Sequence, residues 1–238
     1  MSIRPLLKAL AEAGLGSRRW LADTIKQGRV KVNGEIAEDF RQPVDVETDH
    51  VTLNGQPVDL KPSQLVYLVL NKPRGIMSTT SDERGRRTVI DILPEKYRHL
   101  RLYPVGRLDR DSTGLVLLTN DGELTNRLTH PKFEHEKEYL VSTTDKLKPE
   151  EKRKLEQGIE LEDGITYPAT IKEVDLPPFN YSITIHEGKK RQVRRMFESQ
   201  GHPVLALKRI RMGGLNLDKL KEGEIRVLSP REIKAMLK

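Results

Sequence analysis

The sequence predicts an α+β protein built in two parts. Three observations carry this. Two short helical stretches are followed by strands broken at Asn-Gly pairs within the first 60 residues; a polar, proline-containing linker comes next; and short β-branched apolar runs then alternate with short amphipathic helices.

The elements follow in order. Ile3, Leu6, Leu7, Leu10 and Ala11 fall at helical spacing over residues 3–15, stopping at Gly14. Ser17 reads as the N-cap of a second helix carrying Leu21 and Ile25, with Gly28 just past its end. Val30-Lys31-Val32-Asn33-Gly34-Glu35-Ile36 is an alternating strand whose Asn-Gly pair favours a tight hairpin turn, and Val51, Leu53, Asn54-Gly55 and Val58 suggest another. This module of roughly 60 residues is near the lower size for independent folding. Residues 59–64 form the linker, and Leu65 to Leu70 reads as a buried strand ended by the turn Asn71-Lys72-Pro73-Arg74-Gly75. The expected domains are therefore 1–60 and 65–238.

Residues 78–88 are polar, and a mobile basic flap is the expectation there. Leu124 and Leu128 mark a helix ended by Pro131, and Glu136 to Val141 a strand. Leu147 to Ile159 is an amphipathic helix with Pro149 in its first turn, and residues 165–185 hold two or three strands. Val193, Met196 and Phe197 give a further helix, and Val204 to Met212 a strand with a cationic far end.

The formal charge is +7, and 32% of residues are charged. A basic balance favours a polyanion partner, and clustering strengthens the case. Within residues 1–32, Arg4, Lys8, Arg18, Arg19, Lys26, Arg29 and Lys31 oppose only Glu12 and Asp23, whereas residues 33–60 are acidic. The N-terminus lacks a signal peptide's apolar core, no apolar run could span a bilayer, and there is no cysteine, so a cytoplasmic protein without disulfides or iron–sulfur clusters is expected. The six histidines do not fall at metal-ligand spacing, and no glycine loop for nucleotides is present.

The densest polar stretch is Gly106-Arg107-Leu108-Asp109-Arg110-Asp111-Ser112-Thr113-Gly114-Leu115, just before an apolar strand. A carboxylate can act as nucleophile or base at carbon without a cofactor, and a nearby arginine keeps it ionised. Spacing alone does not choose between Asp109 and Asp111, nor between chemistry and a solvated ion-pair loop.

Two resemblances sharpen this. Residues 3 to about 58, through Ala13-Gly14-Leu15-Gly16-Ser17-Arg18-Arg19 and Gly28-Arg29-Val30-Lys31-Val32-Asn33-Gly34, resemble the S4-like RNA-binding domain. Trp20 stands where that pattern has a polar residue. Nearly the whole chain is similar to the ribosomal RNA pseudouridine synthases that carry such a domain (the RsuA/RluB type). The matching motifs are Asn71-Lys72-Pro73-Arg74-Gly75 with Thr88-Val89-x-Asp91, Gly106-Arg107-Leu108-Asp109-x-x-Ser112-x-Gly114-Leu115 with Thr119-Asn120-Asp121-Gly122, Glu138-Tyr139-Leu140-Val141, and Glu187-Gly188-Lys189-x-x-Gln192-Val193-Arg194-Arg195-Met196. Arg87 departs from the proline more often found there.

The resemblance implies a catalytic domain with a mixed, largely antiparallel sheet, flanking helices and a basic cleft. It implies isomerisation of uridine to pseudouridine in ribosomal RNA, large-subunit RNA slightly favoured, with no metal or cofactor. Asp109 would attack the sugar C1′ or assist glycal formation, Tyr139 would stack on the base, and Arg194 would pair with Asp109. Arg107 would help flip the base, and Lys72, Arg74, Lys189, Lys190 and Arg191 would contact phosphates, alongside Arg18, Arg19, Lys26, Arg29 and Lys31. The implied partner is ribosomal RNA or a ribosome assembly intermediate; a monomer is the default expectation. Two rivals stand beside this: a non-catalytic RNA-binding assembly or chaperone protein with a vestigial pocket, and carboxylate-driven glycosyl hydrolysis or base excision, which needs a water-activating acid/base pair.

Overall fold

The computed structural model describes residues 2–236. The chain divides into two compact units: one runs to Val66 and takes in His99–Arg101 and Asn120–Gly122, and the other comprises Tyr67–Arg98, Leu102–Thr119 and the chain from Glu123 onward.

In the first unit the expected helix over 3–15 is shorter, Leu6–Glu12. Pro5 fixes its own φ and pushes the residue before it toward extended backbone, so Ile3–Pro5 pairs as a strand with Pro43–Asp45. The second helix is Arg18–Lys26, and the Ser17 side chain accepts from the Trp20 amide at 3.0 Å. Trp20 is 42% exposed and lies over Gly16, where a Cβ would fall 2.5 Å from its ring. Both Asn-Gly pairs turn hairpins: Asn33 and Gly34 have φ of 52° and 90°, and Asn54 and Gly55 of 53° and 79°, the left-handed pair that a two-residue type I′ turn needs. The four-stranded sheet runs Glu35–Ile36, Val30–Val32, Val51–Leu53, Gln56–Val58. Leu6, Leu10, Leu21, Ile25, Val30 and Val51 fill the core beneath it.

The second unit is built on a nine-stranded sheet. Its main path runs Thr170–Leu176, Phe179–Ile185, Lys137–Thr143, Val204–Met212, Thr113–Thr119, Tyr67–Lys72, Ile225–Val227. Val204–Met212 and Thr113–Thr119 are parallel, and the other pairs are antiparallel. Helices Gly122–Thr129, Pro149–Gln157, Gln192–Glu198 and Pro230–Ala235 flank it. This is the mixed, largely antiparallel α+β arrangement expected.

Three details differ from expectation. The strand expected over 65–70 begins at Tyr67 and continues through Asn71 and Lys72, both buried. The 78–88 loop carries local order: Met77 and Thr88 form a parallel bridge across it. The Asp82 carboxylate accepts from the amides of Arg84 and Arg86 and from the Arg86 guanidinium, so Arg86 is not a free cation.

Candidate active site

The strands Tyr103–Val105 and Thr113–Thr119 run antiparallel, so residues 106–112 form the loop that joins them. The loop is pinned from inside. Leu108 is buried, and its amide donates to the Ser78 hydroxyl at 3.2 Å. The Gly75 amide donates to the Arg110 carbonyl at 2.7 Å, and the Ser112 amide closes a turn on the Asp109 carbonyl at 3.1 Å. At its far end Gly114, with φ of +104°, passes so close to the neighbouring strand that a Cβ would lie 2.2 Å from the Arg209 carbonyl oxygen.

Facing the loop is the helix Gln192–Glu198. Gln192 organises its approach: its Oε1 accepts from the Lys189 amide at 3.0 Å and its Nε2 donates to Glu187 at 2.7 Å. Arg191 then caps the helix in the left-handed region, φ 51°, without a side-chain capping bond. This leaves its guanidinium directed at two carboxylates: Nη1 lies 3.2 Å from Asp111 Oδ1 and 4.0 Å from Asp109 Oδ2.

Arg194, one turn on, is 3% exposed. Its Nη1 donates to the Val204 carbonyl at 2.8 Å. Its Nη2 reaches Asp111 Oδ2 at 3.3 Å, and the Asp111 carbonyl and Ser112 hydroxyl at 3.4 Å. The expectation that Arg194 pairs with Asp109 therefore needs correcting. Arg194 grips Asp111 and the backbone beside it, and the guanidinium nearest Asp109 belongs to Arg191. The two arginines are three positions apart on the helix, and the turn at Asp109–Ser112 brings the second carboxylate, not the first, over Arg194.

Burial on its own would raise the pKa of Asp111, but the charges of Arg194 and Arg191 outweigh it and hold the carboxyl below its usual value. Burial lowers the pKa of Arg194, against the opposing pull of Asp111.

Lys72 also departs from its expected role. It is fully buried, and its Nζ donates to the carbonyls of Pro73 at 3.0 Å and Ile76 at 2.8 Å. Burial pushes its pKa down to about 8, against the charges of Asp111 and Asp109. Because the strand runs on to residue 72, the side chain is drawn inside the turn and away from the surface. Lys189 is likewise engaged, donating from Nζ to the carbonyls of Gly164 and Ile165, each at 2.8 Å. Arg74, Arg107 and Lys190 are exposed.

Tyr139 is 7% exposed and stands between Ile183 and Arg209 on the flanking strands. In the first unit Arg18, Arg19, Lys26, Arg29 and Lys31 are all exposed. Arg29 is partly occupied, its Nε donating to Asn54 at 2.8 Å and its Nη1 to Gln27 at 2.9 Å. Sequence reasoning missed Ser78 and Ser112 as loop anchors. A serine hydroxyl used this way leaves no periodic signal.

Comparison with known proteins gives a consistent picture. Residues 66–199 match the family model described as RNA pseudouridylate synthase, and residues 4–49 match the S4 domain. Ribosomal large subunit pseudouridine synthase B of Bacillus subtilis (strain 168) is 44% identical over 235 residues, covering 97% of this chain and 94% of the relative. The protein of the same name from Vibrio cholerae serotype O1 is 42% identical over 219 residues, covering 90% of this chain and 68% of the relative. A crystal structure of a pseudouridylate synthase superposes with a TM-score of 0.70 at 35% identity, covering 97% of this chain and 98% of that one.

Proposed function

The chain belongs to the RNA pseudouridylate synthase family, with an S4 domain ahead of the synthase region, and from that membership we propose that it isomerises one or more uridines of ribosomal RNA, the large-subunit RNA favoured by the relatives' names.

The observation that carries the chemical reading is the loop 106–112. It is pinned by Ser78, Gly75 and Arg194, so that Asp109 stands on a rigid turn with Arg191 at 4.0 Å. Asp109 is the reacting carboxylate. It attacks C1′ to give an ester, or takes the C2′ proton to give a glycal; in either route the C1′–N1 bond breaks, the base turns, and C5 joins C1′. Product and substrate have the same atoms, so no redox partner or cofactor is called for. Tyr139 stacks on the extruded base, which cannot be reached within a helix. Arg194 holds the loop through Asp111 and is a positioning residue.

Arg74, Arg107, Lys190 and Arg191 contact the phosphates, with Arg18, Arg19, Lys26, Arg29 and Lys31 of the S4 domain, setting register on the RNA more than base identity. The protein works in the cytoplasm as a monomer, on ribosomal RNA or an assembly intermediate.

The experiment is to map pseudouridines in ribosomal RNA from cells with and without this protein. Loss of pseudouridine at a defined position, restored by the purified protein, is the expected result. An unchanged map with altered ribosome assembly would favour a non-catalytic RNA-binding role.

A further inference from the structure

Residues two apart on a regular strand share a face, yet Arg209 and Arg211 do not. A bulge intervenes: Glu138 pairs with Arg211, and the next pair is Tyr139 with Arg209. Arg211 goes to one side of the sheet, where it meets Glu136 at 2.8 Å and Glu138 at 3.0 Å. Arg209 turns to the side of Tyr139. Bulges near active sites re-aim side chains in this way.

On that side Arg209 meets no carboxylate within ion-pair distance among the described residues. It is 2% exposed. Its Nε donates to the Leu115 carbonyl at 2.8 Å, while Nη2 is buried with no acceptor. A second cation stands near it. Lys137, two residues before Tyr139, shares its face, and its Nζ donates to the His135 carbonyl at 3.0 Å. Burial first, and the charge of Arg209 second, push the Lys137 pKa down to about 8, against Glu187. A buried guanidinium without an acidic partner, next to a half-buried second cation, is costly, and a buried donor left unused asks for an explanation. Arg209 also adjoins Gly114 on the parallel strand, where the Asp109 loop ends.

We propose that Arg209, with Lys137 beside it, binds the uracil ring of the extruded uridine and stabilises the negative charge it carries while detached from the sugar. This rests on the pseudouridine synthase reading. When the C1′–N1 bond breaks, its electron pair leaves with the base as a uracil anion, while C1′ bonds to the Asp109 carboxylate or C2′ gives it a proton. The anion's charge spreads over N1 and both carbonyl oxygens. A fixed guanidinium with unused N–H groups is suited to charge that develops only as the bond breaks. Arg209 and Tyr139, 2% and 7% exposed, lie beneath the surface where a phosphate would be met, which favours a base over a phosphate.

The test uses the full chain and ribosomal RNA labelled with tritium at uridine C5, prepared from cells lacking the protein. Pseudouridine formation releases the C5 label, and its rate is followed under single-turnover conditions. Arg209→Met is expected to slow release about 100-fold, with RNA affinity and its salt dependence unchanged. Arg209→Lys should recover part of that loss, and Lys137→Met should slow release about ten-fold.

A wild-type rate in Arg209→Met overturns the proposal. So does a loss confined to RNA affinity with a shallower salt dependence, which would make Arg209 a phosphate contact. If Arg209→Met loses its cooperative unfolding transition, Lys137→Met decides, and a wild-type rate there overturns the two-cation pocket. Absence of release by the wild-type protein would instead refute the synthase reading itself.

Discussion

Replacing Arg194 by methionine should damage both stability and chemistry, and the structure sets the size of each effect. The side chain is 4% exposed, and its best hydrogen bond, to the Val204 carbonyl at 2.8 Å, would be removed. A bond from a charged donor to a buried carbonyl is worth about 1.5–3 kcal/mol. The ion pair with Asp111 adds less than a buried pair would. Asp111 is 36% exposed and keeps Arg191 at 3.2 Å, so this loss belongs on the exposed scale, under about 1 kcal/mol. Against this, methionine removes a buried Nε that has no partner, returning about 1 kcal/mol. The net expectation is a destabilisation of about 0.5–3 kcal/mol, read by urea unfolding at pH 7.

Arg191→Met provides the contrast. That side chain is 39% exposed and bonds only to partly exposed carboxylates, so its stability cost should stay below about 1 kcal/mol. Pseudouridine formation should fall about 100-fold in Arg194→Met, because the loop carrying Asp109 loses its anchor. If Arg194→Met unfolds at the wild-type urea concentration, or Arg191→Met is the less stable variant, the assignment of Arg194 as the loop's anchor is wrong.

Three further outcomes follow from the geometry. Gly114→Ala should destabilise by about 3 kcal/mol, from a strained positive φ and a Cβ driven into the Arg209 backbone; Gly106→Ala, with φ of +71° and nothing within 4 Å, should cost only about 1 kcal/mol, and equal costs in urea unfolding would contradict the close approach. Lys72 has its pKa lowered to about 8 from 10.5, so between those values the unfolded chain holds the proton that the folded chain has released; wild-type stability should therefore rise relative to Lys72→Met by up to about 1.4 kcal/mol per pH unit through this window, and a constant difference in urea unfolding at pH 7.5 and 9.5 would refute it. Arg18→Ala with Arg19→Ala should weaken binding to ribosomal RNA fragments and flatten its salt dependence by roughly one unit of slope for each phosphate no longer neutralised, whereas an unchanged slope would remove these residues from the interface.

What is legible in the sequence is local. Ser17 and the two Asn-Gly pairs act on their immediate neighbours, so their readings need no knowledge of the rest of the chain. Lys72 is illegible because its burial depends on where a strand stops. A side chain at the last strand position is drawn in, and one residue later it would face water. The partner of Arg194 depends on the phase of a helix against a turn some 80 residues away in sequence, and no spacing rule connects them. Gly114 and Arg209 meet across the parallel pair and face each other only once the sheet is assembled. The bulge at Ile210 that separates Arg209 from Arg211 is likewise a property of pairing, not of composition.

The central claim is that Asp109, and not its neighbour Asp111, reacts with the sugar. It is tested most directly by comparing Asp109→Asn and Asp111→Asn in pseudouridine formation on ribosomal RNA lacking the modification, at saturating protein. Asp109→Asn should form no pseudouridine while binding the RNA with near wild-type affinity, and Asp111→Asn, which only loosens the grip of Arg191 and Arg194, should retain measurable turnover. Normal turnover by Asp109→Asn would contradict the account.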